Sequence, residues 1–384
     1  MKRIITSEAK PIKLWTDEIE SGALQQAKNL ANLPFTYKWV AIMPDVHQGY
    51  GMPIGGVLAT KEIIIPNAVG VDIGCGMCAV PTSLKSLSKK QLPQILQIIS
   101  NQVPLGFKHH SQPQVWEGFY NAPKIPIIQQ ELDKARYQLG SLGGGNHFME
   151  IQKGSDGKIW LMLHSGSRNF GLKIARRFHQ KAKKFCNQKK YKLPTFDLAY
   201  LPLESRSAQD YLQAMNFALE FAKASRFAML EKMKNSVREF IYNVQFGNVI
   251  DIPHNYAAWE EHYGQKVMVH RKGATSAQKG QLGIIPGSQG AKSYIVRGKG
   301  NPESFMSCSH GAGRTMSRRQ ARKQLNLAAE KEKLEKQHII HSIKSNKDLD
   351  EATSAYKDIS QVMQNQQDLV EIVVELTPLA VIKG

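Results

Sequence analysis

Six stretches of this chain share one pattern, a short apolar run that ends in a polar, glycine-bearing turn. They read WVAIMPDVHQGYGMPIGG, NAVGVDIGCGMCAV, LGGGNHFMEIQ, IWLMLHSGSRNFG, NVIDIPHNYA and KVMVHRKGAT. Apolar runs this short, bounded by Gly, Pro, Asn and Asp, are strands or strand ends that emerge into loops. A chain built this way must form a β core, and its polar side chains collect where the strands end.

Helical patterns fill the intervals. SKKQLPQILQIISNQV is one. FGLKIARRFHQKAKKFCNQKK is another, with Leu172, Ile174, Ala175, Phe178, Ala182 and Phe185 on the buried side and a basic opposite face. The longest runs from about Ala208 to Phe240, and a strongly charged one from about Met316 to Glu335. The tail DLVEIVVELTPLAVIKG reads as two strands. Glycine and proline gather at the motifs and not between two halves of the chain. The expectation is therefore α+β: a single domain over residues 1–384, packed β sheets surrounded by helices, with the active site on strand-end loops.

Charge narrows the partners. Fifty-one Lys and Arg against 32 Asp and Glu give a formal net charge of +19. That excess favours polyanions, nucleic acid before an anionic membrane. MKRIITSEAKPIKLW contains no apolar run that a signal peptide needs, and no apolar stretch reaches the ~18–20 residues of a membrane span. Cys75, Cys78, Cys186 and Cys308 do not make a disulfide framework for a chain of this size, so a reducing, cytoplasmic setting is expected. Cys75 and Cys78 form one CxxC, and the lack of a second excludes a four-cysteine zinc site.

The strand-end turns carry metal-ligand chemistry. In VDIGCGMC, Asp72 and Cys75 stand three apart across a glycine-bearing turn, a carboxylate and a thiolate suited to a borderline divalent ion. A buried cysteine beside a turn-forming aspartate is the plainer alternative. His147 follows Asn146 and three glycines, His164 ends IWLML, and His254 follows Pro253 at the end of NVIDI. These five could hold two ions sharing one bridging sulfur. Imidazole accepts Mn, Zn, Fe or Ni, and the carboxylate draws the choice toward Mn. Cys78 reads as a core residue. His109, His110, His179, His262, His338 and His341 lie in polar or charged stretches and are expected to be solvated. His270 has no clear role.

Phosphate-handling features follow. Arg168, in HSGSR, has the planar fork suited to bidentate phosphate binding. HRKGAT adds Arg271 and Lys272. PGSQG at 286–290 and HGAGR at 310–314 are loops whose backbone N–H groups could cradle phosphate. Within SHGAGR, His310 is either a surface residue on a turn or a nucleophile toward phosphorus, since small neighbours leave its ring open to attack.

Taken in order, MPDVHQGYGMPIGG, AVGVDIGCGM, GGGNHFMEIQ, HSGSRNFG, HRKGAT, IPGSQG, SHGAGRTMSRRQA and the C-terminal AYKDI, VMQNQQDLVEIV and IKG resemble the RtcB family of RNA-splicing ligases, and the chain reads as a short, bacterial-type member. The resemblance implies joining of an RNA 3′-phosphate or 2′,3′-cyclic phosphate to a 5′-hydroxyl, with GTP and two Mn²⁺ ions. It implies that His310 carries GMP, with Asp45 close by. Asp72, Cys75, His147, His164 and His254 match the manganese ligands, with the cysteine as bridge. Asn146, Phe148, Glu150, Ser288, Tyr356 and Lys383 match a guanosine pocket, and Arg168 matches an arginine that holds RNA phosphate. An activating protein is a further candidate partner. The chain departs from the family in a compressed span between about Leu84 and Tyr137, in Gln289 where methionine is frequent, and in its basic charge. These leave open which RNA, tRNA, rRNA or another, is joined. A non-catalytic RNA-binding subunit and a metal-dependent phosphodiesterase are the competing functions.

Overall fold

The computed structural model describes all 384 residues and contains two large sheets. The first has six strands in the order Arg3–Ile5, Ile12–Leu14, Thr36–His47, Ile54–Thr60, Gln265–Lys272 and Asn255–His262. The second has seven, in the order Ile250–Pro253, Gly76–Pro81, Ile159–Ser165, Phe148–Gly154, Val370–Lys383, Ser293–Gly298 and Leu282–Ile285. Pairing is antiparallel throughout, except that Ile12–Leu14 runs parallel to Thr36–His47.

Both sheets are covered on both faces, which explains why their strands are continuous apolar runs. In the first, Val40, Ile42, Leu58 and Met268 enter one core while Ala41, Met43, Val57, Val267 and Val269 enter another. In the second, Cys78, Val80, Met149, Ile151, Leu161 and Leu163 face one way, and Met77, Ala79, Phe148, Trp160 and Met162 the other. The long helix Arg206–Arg238 links the two halves. Its first turns bury Tyr211, Met215 and Phe221 in the core of the first sheet, and its last turns bury Met229, Leu230, Met233 and Val237 against the second. Ser205 caps it by accepting a hydrogen bond from Ala208 N–H at 3.2 Å, satisfying one of the free donors of the first turn.

Two expectations need correction. The tail is one strand, Val370–Lys383, not two. The register shifts between Pro378 and Ala380, and that bulge absorbs the proline without ending the strand. The charged region after Met316 is two helices, Arg318–Gln324 and Leu327–Lys336. Between them Asn326 accepts from Ala329 N–H at 3.1 Å and starts the second. The basic helix Arg168–Gln188 buries Ile174, Ala175, Phe178 and Ala182 as expected, with Leu172 and Phe185 half-buried. No helix is long and apolar enough to cross a membrane.

Candidate active site

Strand register assembles the ligand set. His164 pairs with Phe148 on one side and Met77 on the other, and Gly76 pairs with both Ser165 and Pro253. Cys75, His147, His164 and His254 are therefore brought to one end of four adjacent strands. Gly76 permits this approach, because a Cβ there would lie 2.6 Å from the carbonyl oxygen of Ile252.

The donor atoms converge. Cys75 Sγ lies 3.3 Å from His147 Nε2 and 3.2 Å from His164 Nε2. His164 Nε2 faces His254 Nε2 at 3.3 Å, and His147 Nε2 lies 3.2 Å from Asp72 Oδ2. His164 Nδ1–H donates to the carbonyl of Asn146 at 3.0 Å, which leaves the lone pair of its Nε2 pointing into the cluster. Burial holds His164 and His254 well below the usual imidazole pKa, so both are neutral. The buried Nδ1 atoms of His147 and His254 have no hydrogen-bond partner.

The buried sulfur and imidazole nitrogens, with neighbouring donor atoms 3.2–3.3 Å apart, stand where one cation could draw on several of them. Cys75, His147 and His164 bring their donor atoms within 4.8 Å of one another, with Asp72 and His254 adjoining, a donor set of imidazole, thiolate and carboxylate that fits divalent cations. Burial, reinforced by Asp72, raises the Cys75 thiol well above its ordinary pKa. A bound cation would reverse that preference and hold the thiolate.

His310 sits beside this cluster, its ring centroid 4.8 Å from that of His254. Its backbone N–H donates to Asp45 Oδ2 at 3.0 Å and its Nδ1–H donates to the same oxygen at 2.6 Å. Asp45 is fully buried. The small residues after His310 let the strand bearing Asp45 come close. Gly313 has a φ of 75°, and any side chain there would collide with the backbone of Asp45.

Beyond His310 the site opens into a cavity of about 1130 Å³. Asn146, Phe148, Glu150, Ser288, Tyr356 and Lys383 all line it, together with His310 and the five ligand candidates. Lys383 pairs in register with Phe148, and its Nζ lies 5.5 Å from that ring's centroid. Burial raises the Glu150 carboxyl to about 8 even with Lys383 near. Ser288 Oγ is buried without a partner. Tyr356 donates its hydroxyl to Glu351. Gln289 donates Nε2 to the Glu351 carbonyl at 2.9 Å.

Arg168 stands at the edge and not in the main cavity. It begins its helix with a φ of 58° and lies against Gly143 next to His147. Its Nη2 donates to Gly106 O at 2.6 Å and its Nε to Ser141 Oγ at 3.2 Å.

Several contributors carry no motif. Arg226 on the long helix is buried and donates to Gly74 O at 2.8 Å, to Ser165 O at 3.1 Å, and to both oxygens of Asp251. It thus ties down three of the segments that bear ligands. Asn255 donates to Asp72 O at 3.0 Å and accepts from Gly273 N–H at 2.8 Å. Glu351 is buried and joins Arg314 and Arg318 in ion pairs of 3.1 and 2.8 Å. Some expectations fail here: of the six histidines expected in solvent only His109 and His338 are exposed, His110, His179 and His341 are half-buried, and His262 is buried with its Nε2 2.9 Å from Glu260. Arg271 is fully buried and pairs with the same Glu260, so it is not free for phosphate. His270 is also fully buried; Ile65 N–H donates to its Nε2 at 3.1 Å, so its role is structural.

Comparison with known proteins gives a consistent picture. The family model described as tRNA-splicing ligase RtcB matches residues 26–384. The chain is 40% identical to the RNA-splicing ligase RtcB of Escherichia coli K12 over 408 aligned residues, covering 99% of each. It is 32% identical to the tRNA-splicing ligase RtcB of Nanoarchaeum equitans, covering 95% of this chain and 92% of that one. It is 30% identical to the RNA-splicing ligase RtcB of Mycobacterium bovis, covering 94% and 100%.

Proposed function

This chain belongs to the RtcB family of RNA ligases, and from that premise we propose a GTP- and Mn²⁺-dependent ligase that joins RNA 3′-phosphate or 2′,3′-cyclic phosphate ends to 5′-hydroxyl ends through guanylyl-His310. The carrying observation is the 2.6 Å hydrogen bond from His310 Nδ1 to Asp45, which fixes the tautomer and leaves Nε2 a free lone pair. In the first step Nε2 attacks the α-phosphorus of GTP and pyrophosphate leaves. In the second an oxygen of the RNA 3′-phosphate attacks the phosphorus on His310, and the imidazole leaves. In the third the 5′-hydroxyl attacks the activated RNA phosphate, and GMP leaves. A cyclic end is first hydrolysed to the 3′-phosphate.

Asp72, Cys75, His147, His164 and His254 would hold two Mn²⁺ ions, and the ions would supply polarisation of phosphate oxygens. Asp45 orients His310 and stabilises the charge its ring acquires on phosphorylation. The Phe148 ring offers a guanine a stacking face. Glu150, once ionised, offers an acceptor for the guanine N–H edge, and Lys383 a donor for its oxygen. Arg168 holds the RNA phosphate. One catalytic unit over residues 1–384 is part of the proposal, supported by the helix Arg206–Arg238 entering the cores of both sheets. So is a cytoplasmic setting, in keeping with four buried, unpaired cysteines.

Incubation with labelled GTP and Mn²⁺ tests the reading. The expected product is a covalent GMP adduct, acid-labile and base-stable, that is discharged by 3′-phosphate RNA. A non-catalytic RNA-binding subunit forms no adduct. A phosphodiesterase opens cyclic ends without one.

A further inference from the structure

Resting on the RNA-ligase reading, we propose that Phe107 is a stacking platform for the terminal base of the RNA strand that bears the 3′-phosphate. The ring is wholly in solvent, with a relative exposure of 103%. Yet the backbone around it is tied to the catalytic frame. Leu142 N–H donates to Pro104 O at 2.9 Å, and His110 N–H to Tyr137 O at 2.9 Å. Gly106, with a φ of 64°, makes the turn that sends Phe107 outward. The carbonyl of that same Gly106 accepts from Arg168 at 2.6 Å. Arg168 in turn lies against Gly143 and His147. The exposed ring therefore belongs to the residue immediately after the carbonyl held by the guanidinium beside the ligand cluster.

A single exposed phenylalanine needs no explanation on its own. This one is held at the rim of a site that handles phosphate, on an anchored turn, next to the exposed Lys108. A π face for a base with cations beside it for the backbone is the combination that binds unpaired nucleic acid, and it is tolerant of sequence because every base has a π face. A protein partner would need a wider apolar patch than one ring, and the residues after Phe107 are Lys108, His109 and His110.

The test is equilibrium binding of a labelled 3′-phosphate oligoribonucleotide to the full-length protein, read by fluorescence anisotropy. The RNA is used intact and with an abasic terminal nucleotide. On intact RNA, Phe107→Ala is expected to weaken binding roughly five- to 150-fold, while Phe107→Trp retains it. On abasic RNA, wild type and Phe107→Ala should bind alike. Equal binding of intact RNA by both proteins overturns the proposal. So does a loss of the same size on both RNAs, which would assign Phe107 to holding its loop. Ligation is measured separately: binding without joining rejects the ligase reading and leaves the stacking result standing, whereas a wild type that binds no 3′-phosphate RNA rejects both.

Discussion

His310 and Asp45, 265 positions apart in the sequence, meet through two hydrogen bonds to one carboxylate oxygen, Oδ2. The arrangement commits the ring to one tautomer and keeps its other nitrogen nucleophilic. His310→Ala is expected to abolish the GMP adduct. Asp45→Asn keeps the shape but loses the charge, and a charge-assisted hydrogen bond contributes about 1.5–3 kcal/mol. Adduct formation should slow roughly ten- to 150-fold. Labelling with GTP under single-turnover conditions measures both, and an adduct at wild-type level in His310→Ala would remove His310 from the mechanism.

The two cysteines of the CxxC should separate cleanly. Cys75 Sγ faces two imidazoles, whereas Cys78 lies in an apolar core with its thiol pushed up to about 12 by burial. Cys75→Ser should lose bound manganese, because an alcohol is a poor bridge. Cys78→Ser should keep it. Elemental analysis of desalted protein decides, and equal losses would mean that the bridging role is misassigned.

Arg168→Ala should divide the reaction. Its guanidinium lies against Gly143 beside His147 but does not line the cavity next to His310, so His310 should still be loaded with GMP. Passing GMP to 3′-phosphate RNA should fall by roughly ten- to 150-fold, the worth of one charge-assisted contact. A chase of preformed adduct with RNA measures this. Failure to load at all would place Arg168 in the nucleotide step.

Lys272 gives a prediction in pH. Its ammonium is buried and donates to Tyr50 O at 2.5 Å and Asn67 O at 3.2 Å, and burial lowers its pKa to about 7. The unfolded value is about 10.4. A depressed folded pKa contributes stability that is present above the unfolded value and is lost as pH falls through the folded one. Relative to Lys272→Met, the wild type should therefore lose up to about 1.36 kcal/mol per unit as pH falls from about 10 toward 7. Urea denaturation of both proteins at several pH values tests it. A constant difference would show that the amine stays charged in the folded chain.

Much of the site was readable because its ligands stand on short strand-to-loop turns, where neighbours in sequence betray the geometry. What escaped depends on tertiary contact. Arg226 sits in a helix of mixed apolar and charged residues, where an arginine looks like part of a solvated face. Glu351 lies in a charged stretch, SNKDLDEATSAY, and its burial follows only from Arg314 and Arg318 arriving from elsewhere. His262 looked exposed because Glu260 surrounds it with charge in sequence. Two apart on one strand, the pair shares a face and goes inside together. The tail is one strand and not two, because a bulge between Pro378 and Ala380 carries the pairing past the proline.

The guanidinium of Arg226 reaches the carbonyls of Gly74 and Ser165 and the carboxylate of Asp251 from the middle of the long helix. Ion binding and the seating of that helix are therefore linked equilibria, and linkage is reciprocal. Ions that tighten the three segments must strengthen helix docking by the same factor that docking strengthens the ions. The centre thus reports on packing well beyond it: a substitution that loosens the helix anywhere along its length lowers metal affinity without touching a ligand.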